Sequence, residues 1–260
     1  MISSVPYLDG EHPLRFAHRG SRILWPENTA AAFEGAFELG YLYLETDVRI
    51  TRDGVVVVFH DETLDRTTNG RGKVSDWLFE DLKHLDAGWW FDPDSDYPQR
   101  GGVAKISSVE EIFERFPEQR FNIDLKGPDM EWPVADVIRR CKRTETVMIG
   151  SFSSRRIRKF RRVTLGAVAT SAGPVAAMKM YAASRIGRSV GSYADAYQVP
   201  FDYRGIAIDA KFVDAVHYSG AQIHCWTVDE AADMHRLLDV GVDGIVTDRP
   251  DILNEVLAAR

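Results

Sequence analysis

The sequence predicts an α/β protein, a TIM-type (β/α)8 barrel with a small inserted subdomain. Three observations carry that prediction. Short apolar runs alternate with helical patterns along nearly all of the 260 residues. Nine strand candidates result, most of them separated by helices, which suits a parallel barrel with one extra hairpin strand. The first strand–helix turn, His18-Arg19-Gly20-Ser21, lacks the glycine-rich dinucleotide fingerprint that a doubly wound open sheet would favour.

Residues 14–18 read as a strand, and 28–39 as a helix capped by the Asn28 side chain. Residues 41–50 and 55–60 form two strands joined by Thr51-Arg52-Asp53-Gly54, where Asp-Gly is a hairpin signal. The stretch 61–105 fits neither period. It is rich in Asp, Gly and aromatics, including Gly88-Trp89-Trp90-Phe91, and reads as the insertion. Regularity returns with a helix at 109–116, a strand at 120–126, a helix at 132–141, a strand at 147–152 and a basic helix near 154–161. Strands follow at 164–169, 196–201, 222–228 and 244–247, with helices at 174–186, 211–219 and 229–239. With no fixed-period repeat and no Pro/Ser-rich linker, residues 1–260 count as a single domain.

Composition narrows the function. Hydrophobic residues make up 45% and charged residues 27%, which excludes a disordered chain. Thirty-two Lys and Arg against 39 Asp and Glu leave a net charge of −7, so no overall positive field favours nucleic acid. The two cysteines, Cys141 and Cys225, exclude a disulfide framework. No run of 18 apolar residues points to stable membrane insertion, and a cytoplasmic location is expected. The basic run Arg155, Arg156, Arg158, Lys159, Arg161 and Arg162 reads as a solvated helix face.

Polar groups on the inward parity of apolar strands mark the candidate site. In 41–50, Leu42, Leu44, Val48 and Ile50 share one face, while Tyr43, Glu45 and Asp47 share the other. Two adjacent carboxylates repel unless a cation neutralises them or one is protonated. A two-residue hairpin loop puts His60 across from Glu45 or Asp47, whereas a one-residue slip would turn it away. Asn122, Asp124 and Lys126 oppose Phe121, Ile123 and Leu125 in the same manner, and His18 follows Phe16 by parity. In such a barrel these residues meet at the carboxyl ends of the strands. Glu45, Asp47 and Asp124 are all-oxygen donors suited to Mg²⁺ or Ca²⁺. Arg19 and Lys126 suit a bound anion, and His18 and His60 suit proton transfer near neutrality. The set describes phosphoryl chemistry better than acyl transfer.

Several ordered motifs then carry a resemblance. Phe16-Ala17-His18-Arg19-Gly20, Pro26-Glu27-Asn28-Thr29, Glu45-Thr46-Asp47-Val48 with Thr51-Arg52-Asp53-Gly54, Phe59-His60-Asp61, Leu64-Asp65-Arg66-Thr67-Thr68-Asn69-Gly70, Asp124-Leu125-Lys126, Ser151-Phe152, Trp226-Thr227-Val228 and Gly241-Val242-Asp243-Gly244-Ile245-Val246-Thr247-Asp248 resemble the glycerophosphodiester phosphodiesterase family over residues 14–253. The resemblance implies a TIM-type barrel with an inserted subdomain after His60-Asp61. It implies metal-dependent hydrolysis of glycerophosphodiesters to glycerol 3-phosphate and an alcohol. It also implies His18 and His60 as the acid/base pair, and one divalent cation, Mg²⁺ or Ca²⁺, on Glu45, Asp47 and Asp124. Trp226 would wall the substrate site. The third ligand position is more often Glu in this family, and the shorter Asp124 bears on metal preference. Two other readings compete: a phospholipase D-like enzyme acting on lysophospholipid or sphingomyelin-type head groups, and a non-catalytic barrel binding phosphorylated metabolites.

Overall fold

A computed structural model describes residues 5–102, 104–203 and 205–260. Eight parallel strands form the barrel: β1 (Leu14–Ala17), β2 (Tyr43–Ile50), β4 (Arg120–Leu125), β5 (Val147–Gly150), β6 (Ala169–Thr170), β7 (Ala196–Pro200), β10 (Gln222–Trp226) and β11 (Gly244–Thr247). Their order is β6-β5-β4-β2-β1-β11-β10-β7, and a bridge between Ser171 and Ala196 brings the two ends together. β3 (Val56–Val58) pairs antiparallel with β2, and a two-stranded ribbon, β8 (Asp202–Tyr203) and β9 (Ile206–Ala207), follows β7. The helices are α1 (Ala30–Glu38), α2 (Phe79–Leu82), α3 (Val109–Arg115), α4 (Glu131–Arg140), α5 (Ser154–Val163), α6 (Pro174–Arg185), α7 (Ala210–Tyr218), α8 (Ala231–Asp239) and α9 (Pro250–Ala258).

The period-2 pattern of the strands divides the core in two. Leu44, Val48, Phe121, Ile123, Ile149, Ile223 and Ile245 pack outward against helix residues such as Phe33, Val134, Ile157 and Leu253. Leu14, Phe16, Tyr43, Met148, Ala169, Ala196 and Val246 fill the barrel interior together with Tyr7, which precedes β1. Tyr7 is tied there through its carbonyl, which accepts from Tyr43 Oη at 2.8 Å and Arg120 Nη1 at 2.9 Å. The apolar plug occupies one end of the barrel and leaves the polar inward positions at the carboxyl end.

Four details depart from the sequence expectation. The helix expected from Asn28 begins at Ala30, and Thr29 is its cap, accepting from the Ala32 amide. The strand expected at 164–169 is β6 at Ala169–Thr170, because α5 runs on to Val163 and residues 164–168 are the turn that follows it. α9 and the β8–β9 ribbon were not expected at all. Half of the basic run on α5 is paired, Lys159 with Asp129 and Glu131, Arg161 with Asp195, and Arg156 with the Leu125 carbonyl and Ser151 Oγ, whereas Arg155, Arg158 and Arg162 are exposed.

Leu64, Val74, Leu82, Ala87 and Ala104 of the insertion form a separate apolar cluster with Val57, Phe59 and Ile106, which flank it. Trp89 and Trp90 stand outside it and, with Tyr97, surround the guanidinium of Arg100. Among the described residues no helix is long and apolar enough to cross a membrane.

Candidate active site

The loop after β1 sets the first half of the site. Arg19 and Gly20 have φ of 54° and 80°, and a Cβ on Gly20 would lie 2.6 Å from the Ala32 Cβ. Only glycine fits there, which explains the Arg19-Gly20 pair in structural terms. The turn aims the Arg19 amide at Glu45 Oε2, 3.1 Å away. Its guanidinium lies between two carboxylates, with Nη1 2.8 Å from Glu27 Oε1 and Nε 3.0 Å from Asp47 Oδ2.

His18 follows directly after β1. Its Nδ1 is 2.8 Å from Asp248 Oδ1, and its Nε2 is 3.8 Å from Glu45 Oε2. Asp248 just beyond β11 is fully buried, and its other oxygen accepts from Arg22 Nε at 2.5 Å. Burial opposes the charged form of His18, but the Asp248 hydrogen bond and the charge of Glu45 outweigh it and raise the imidazole above its ordinary value.

The expected register of the hairpin is corrected. Val48, Arg49 and Ile50 pair with Val58, Val57 and Val56, the slipped register that would turn His60 away if the ladder continued. The ladder stops at Val58, however, and two bonds from Arg49 to the His60 carbonyl, at 3.0 and 2.8 Å, redirect the chain. His60 therefore keeps Asp47 as an electrostatic neighbour. Its Nδ1 is 2.5 Å from Asp61 Oδ1. Burial, reinforced by Arg19 and Lys126, lowers His60 below its ordinary value despite Asp47 and Asp61.

Between the imidazoles lie the carboxylates. Asp47 and Asp124 are register partners on β2 and β4. Lys126 Nζ bridges them, 2.9 Å from Asp47 Oδ1 and 2.6 Å from Asp124 Oδ2. Asn28 donates to Asp47 Oδ2 at 3.0 Å and accepts from Thr46 Oγ1 at 2.8 Å. Its role is thus to hold a site carboxylate, and the expected capping role passes to Thr29. Burial and the charge of Asp47 push Glu45 up to about 7, and burial also raises Asp124.

Among the described residues no three His, Cys, Asp or Glu side chains close on a single point, since Lys126 stands between Asp47 and Asp124. The donor chemistry nevertheless fits a hard divalent cation. Glu45 and Asp47 are buried side by side, and Asp124 Oδ1 is buried without a partner. Trp226 closes β10 at the rim, with its ring 5.5 Å from that of exposed Phe152, and Lys126 Nζ lies 5.1 Å from the Phe152 ring.

Sequence reasoning missed the supporting set of Glu27, Arg49, Asp61, Arg66, Phe152 and Asp248. Arg66, from the insertion, grips both oxygens of Glu27 at 2.8 Å and Asp61 Oδ2 at 2.6 Å. All but Arg49 stand in the motifs quoted above, and Arg49 directly follows one of them, after Val48.

A parallel barrel whose carboxyl rim opposes two carboxylate-backed imidazoles across buried acids and cations belongs to the class that cleaves phosphodiesters. The model of the "Glycerophosphoryl diester phosphodiesterase family" matches residues 18–252, and the chain belongs to that family. A glycerophosphodiester phosphodiesterase of Caldanaerobacter subterraneus is 36% identical over 92% of this chain and 96% of its own. One from Bacillus subtilis is 34% identical over 96% and 88%. The crystal structure of a glycerophosphodiester phosphodiesterase from Agrobacterium tumefaciens superposes with a TM-score of 0.76 at 28% identity, covering 93% of this chain and 98% of that one. An Oleispira antarctica phosphodiesterase, solved with its product sn-glycerol-3-phosphate, shares the fold with a TM-score of 0.76 at 21% identity over 95% and 97%.

Proposed function

We propose that this glycerophosphodiester phosphodiesterase releases sn-glycerol 3-phosphate and an alcohol, with one divalent cation, Mg²⁺ or Ca²⁺, held by Glu45, Asp47 and Asp124. The observation that carries the reading is the pair of imidazoles, each with a carboxylate on Nδ1, beside the buried acids Glu45, Asp47 and Asp124. The product bound to the Oleispira antarctica phosphodiesterase supports the product named here.

The chemistry a divalent cation supplies at these carboxylates is neutralisation of charge on the phosphate oxygens. Arg19 and Lys126 add fixed positive charge beside the same carboxylates and orient the anionic substrate. Environment pushes the two histidines apart: His18 is raised and His60 is lowered. A neutral His60 accepts the proton of the attacking oxygen, and a protonated His18 delivers one to the leaving alcohol. Asp248 and Asp61 hold each ring in the orientation its role requires. Trp226 and Phe152 give the substrate an apolar wall at the rim.

The test is turnover by metal-stripped protein on glycerophosphocholine, glycerophosphoethanolamine and lysophosphatidylcholine, with Mg²⁺ or Ca²⁺ added back. Activity on the two deacylated diesters should return with the cation, and Asp124→Asn should lose that response. Full turnover in chelator would overturn the metal assignment. Preferred turnover of the lysolipid would overturn the substrate class.

A further inference from the structure

The barrel rim adjoins a surface that none of the chemistry above uses. Between Glu145 and Asp195 the chain holds nine Lys and Arg and no Asp or Glu, although its net charge is −7. Eight of the nine stand on α5 and α6. Acids from other elements reach these helices at Asp129, Glu131, Asp195 and Asp209, and they pair with Lys159, Arg161 and Arg185. Among the described residues Arg155, Arg158, Arg162 and Lys179 form no ion pair, and all four are exposed.

Two stripes make up this face. Arg155, Arg158 and Arg162 follow the i, i+3, i+7 spacing of one side of α5. On α6 the same spacing links Val175, Met178 and Ala182 and runs on to Ile186, its C-cap. All of these are exposed, Met178 by 72% and Ile186 by 70%, where the outer stripe of a barrel helix is ordinarily polar. The Val175 amide donates to Ser154 Oγ at 3.1 Å, so the two helices start side by side. Both start at the carboxyl rim, α5 only two residues after exposed Phe152.

We propose that this face of α5 and α6 docks the barrel on an anionic phospholipid surface. Nucleic acid would satisfy the arginines and leave the apolar stripe in water. A bilayer interface offers both phosphate charge for the cations and hydrocarbon for Val175, Met178 and Ile186. The family's substrate is a phospholipid stripped of its acyl chains, so docking here holds the rim beside the source of that substrate. The contact is peripheral, in keeping with helices too short to cross a membrane. It stands apart from the reaction proposed above, and binding is measured without turnover.

The experiment is cosedimentation of the full chain with vesicles of phosphatidylcholine alone or mixed equally with phosphatidylglycerol. Wild type should bind the mixed vesicles about tenfold more tightly than the neutral ones and lose that preference in high salt. Arg155→Gln combined with Arg158→Gln should weaken binding to mixed vesicles by about tenfold, and Met178→Ser by about threefold. Melting temperature and turnover of soluble glycerophosphoethanolamine should stay at the wild-type level in both variants, which separates lost docking from lost folding. Equal binding of the two vesicles by wild type, or full binding by the double variant, would overturn the proposal. So would tighter binding of duplex DNA than of mixed vesicles with no effect of Met178→Ser, which would give the face to nucleic acid. Failure of the proposed reaction appears separately, as no turnover by a wild type that still binds vesicles.

Discussion

Asp248 Oδ1 stands 2.8 Å from His18 Nδ1, although 230 positions separate the two residues in the chain. The parallel pairing of β1 with β11, Ala17 opposite Thr247, brings them together. Asp248 is itself anchored: its amide donates to Asp229 Oδ1 at 2.8 Å, and its carbonyl accepts from Ser21 Oγ at 2.6 Å. A fully buried carboxylate fixed at both main-chain groups fixes the imidazole it binds.

Asp248→Asn should therefore lower activity by about 10–100-fold and also change its pH dependence. Asp248 raises His18, both through its hydrogen bond and through its charge, so the variant's His18 loses its proton at lower pH. With His18 as the proton donor, the alkaline limb of kcat/KM moves to lower pH while the acid limb stays in place. A shift of the acid limb instead would reverse the assignment of the two histidines.

Arg66 joins the two halves of the site, since Glu27 holds Arg19 and Asp61 holds His60. Arg66→Ala should reduce kcat/KM by about 10–100-fold while leaving the melting temperature nearly unchanged, because the side chain is half exposed. Arg66→Lys should restore little, since one ammonium does not span two carboxylates as a planar guanidinium does. Steady-state kinetics alongside thermal melts separate this outcome from simple unfolding.

Glu45 links stability to function. Its folded-state value of about 7 lies above the ordinary carboxylate range, so ionising it destabilises the fold. That loss begins as pH rises through the unfolded value and is complete above the folded one. Glu45→Gln should raise the melting temperature at pH 8 by about 5 °C, with no gain near pH 4, and should abolish activity. Saturating Mg²⁺ or Ca²⁺ should stabilise wild type more than the variant, measured by calorimetric scans at both pH values.

Phe152 is 66% exposed and touches Trp226, so it contributes contact area more than fold stability. Phe152→Ala should raise KM by about three- to tenfold and change kcat little, the signature of binding shared by ground and transition states.

Much of this site was legible because strand alternation assigns faces without any knowledge of partners. Glu45 and Asp47 opposite Leu44 and Val48, and Asp124 opposite Ile123 and Leu125, follow from parity alone. What escaped depends on where the chain bends. Asn28 and Thr29 are both good caps, and only the φ of 56° at Asn28 shows which one leaves the helix to reach Asp47. His60 lies past the end of its ladder, so register could not place it, whereas the Arg49 contacts to its carbonyl do. Arg66 and Asp248 act through partners distant in sequence, and their motif positions carried no hint of which group each would hold.

The proposed acid and base of glycerophosphodiester cleavage are the two imidazoles at the barrel rim, His18 and His60. Their role is tested most directly by following glycerophosphoethanolamine by phosphorus NMR with wild type, His18→Ala and His60→Ala. Wild type should convert the diester resonance into that of sn-glycerol 3-phosphate, and each variant should be slower by about 10²–10⁴-fold. Conversion by either variant at the wild-type rate would contradict the account.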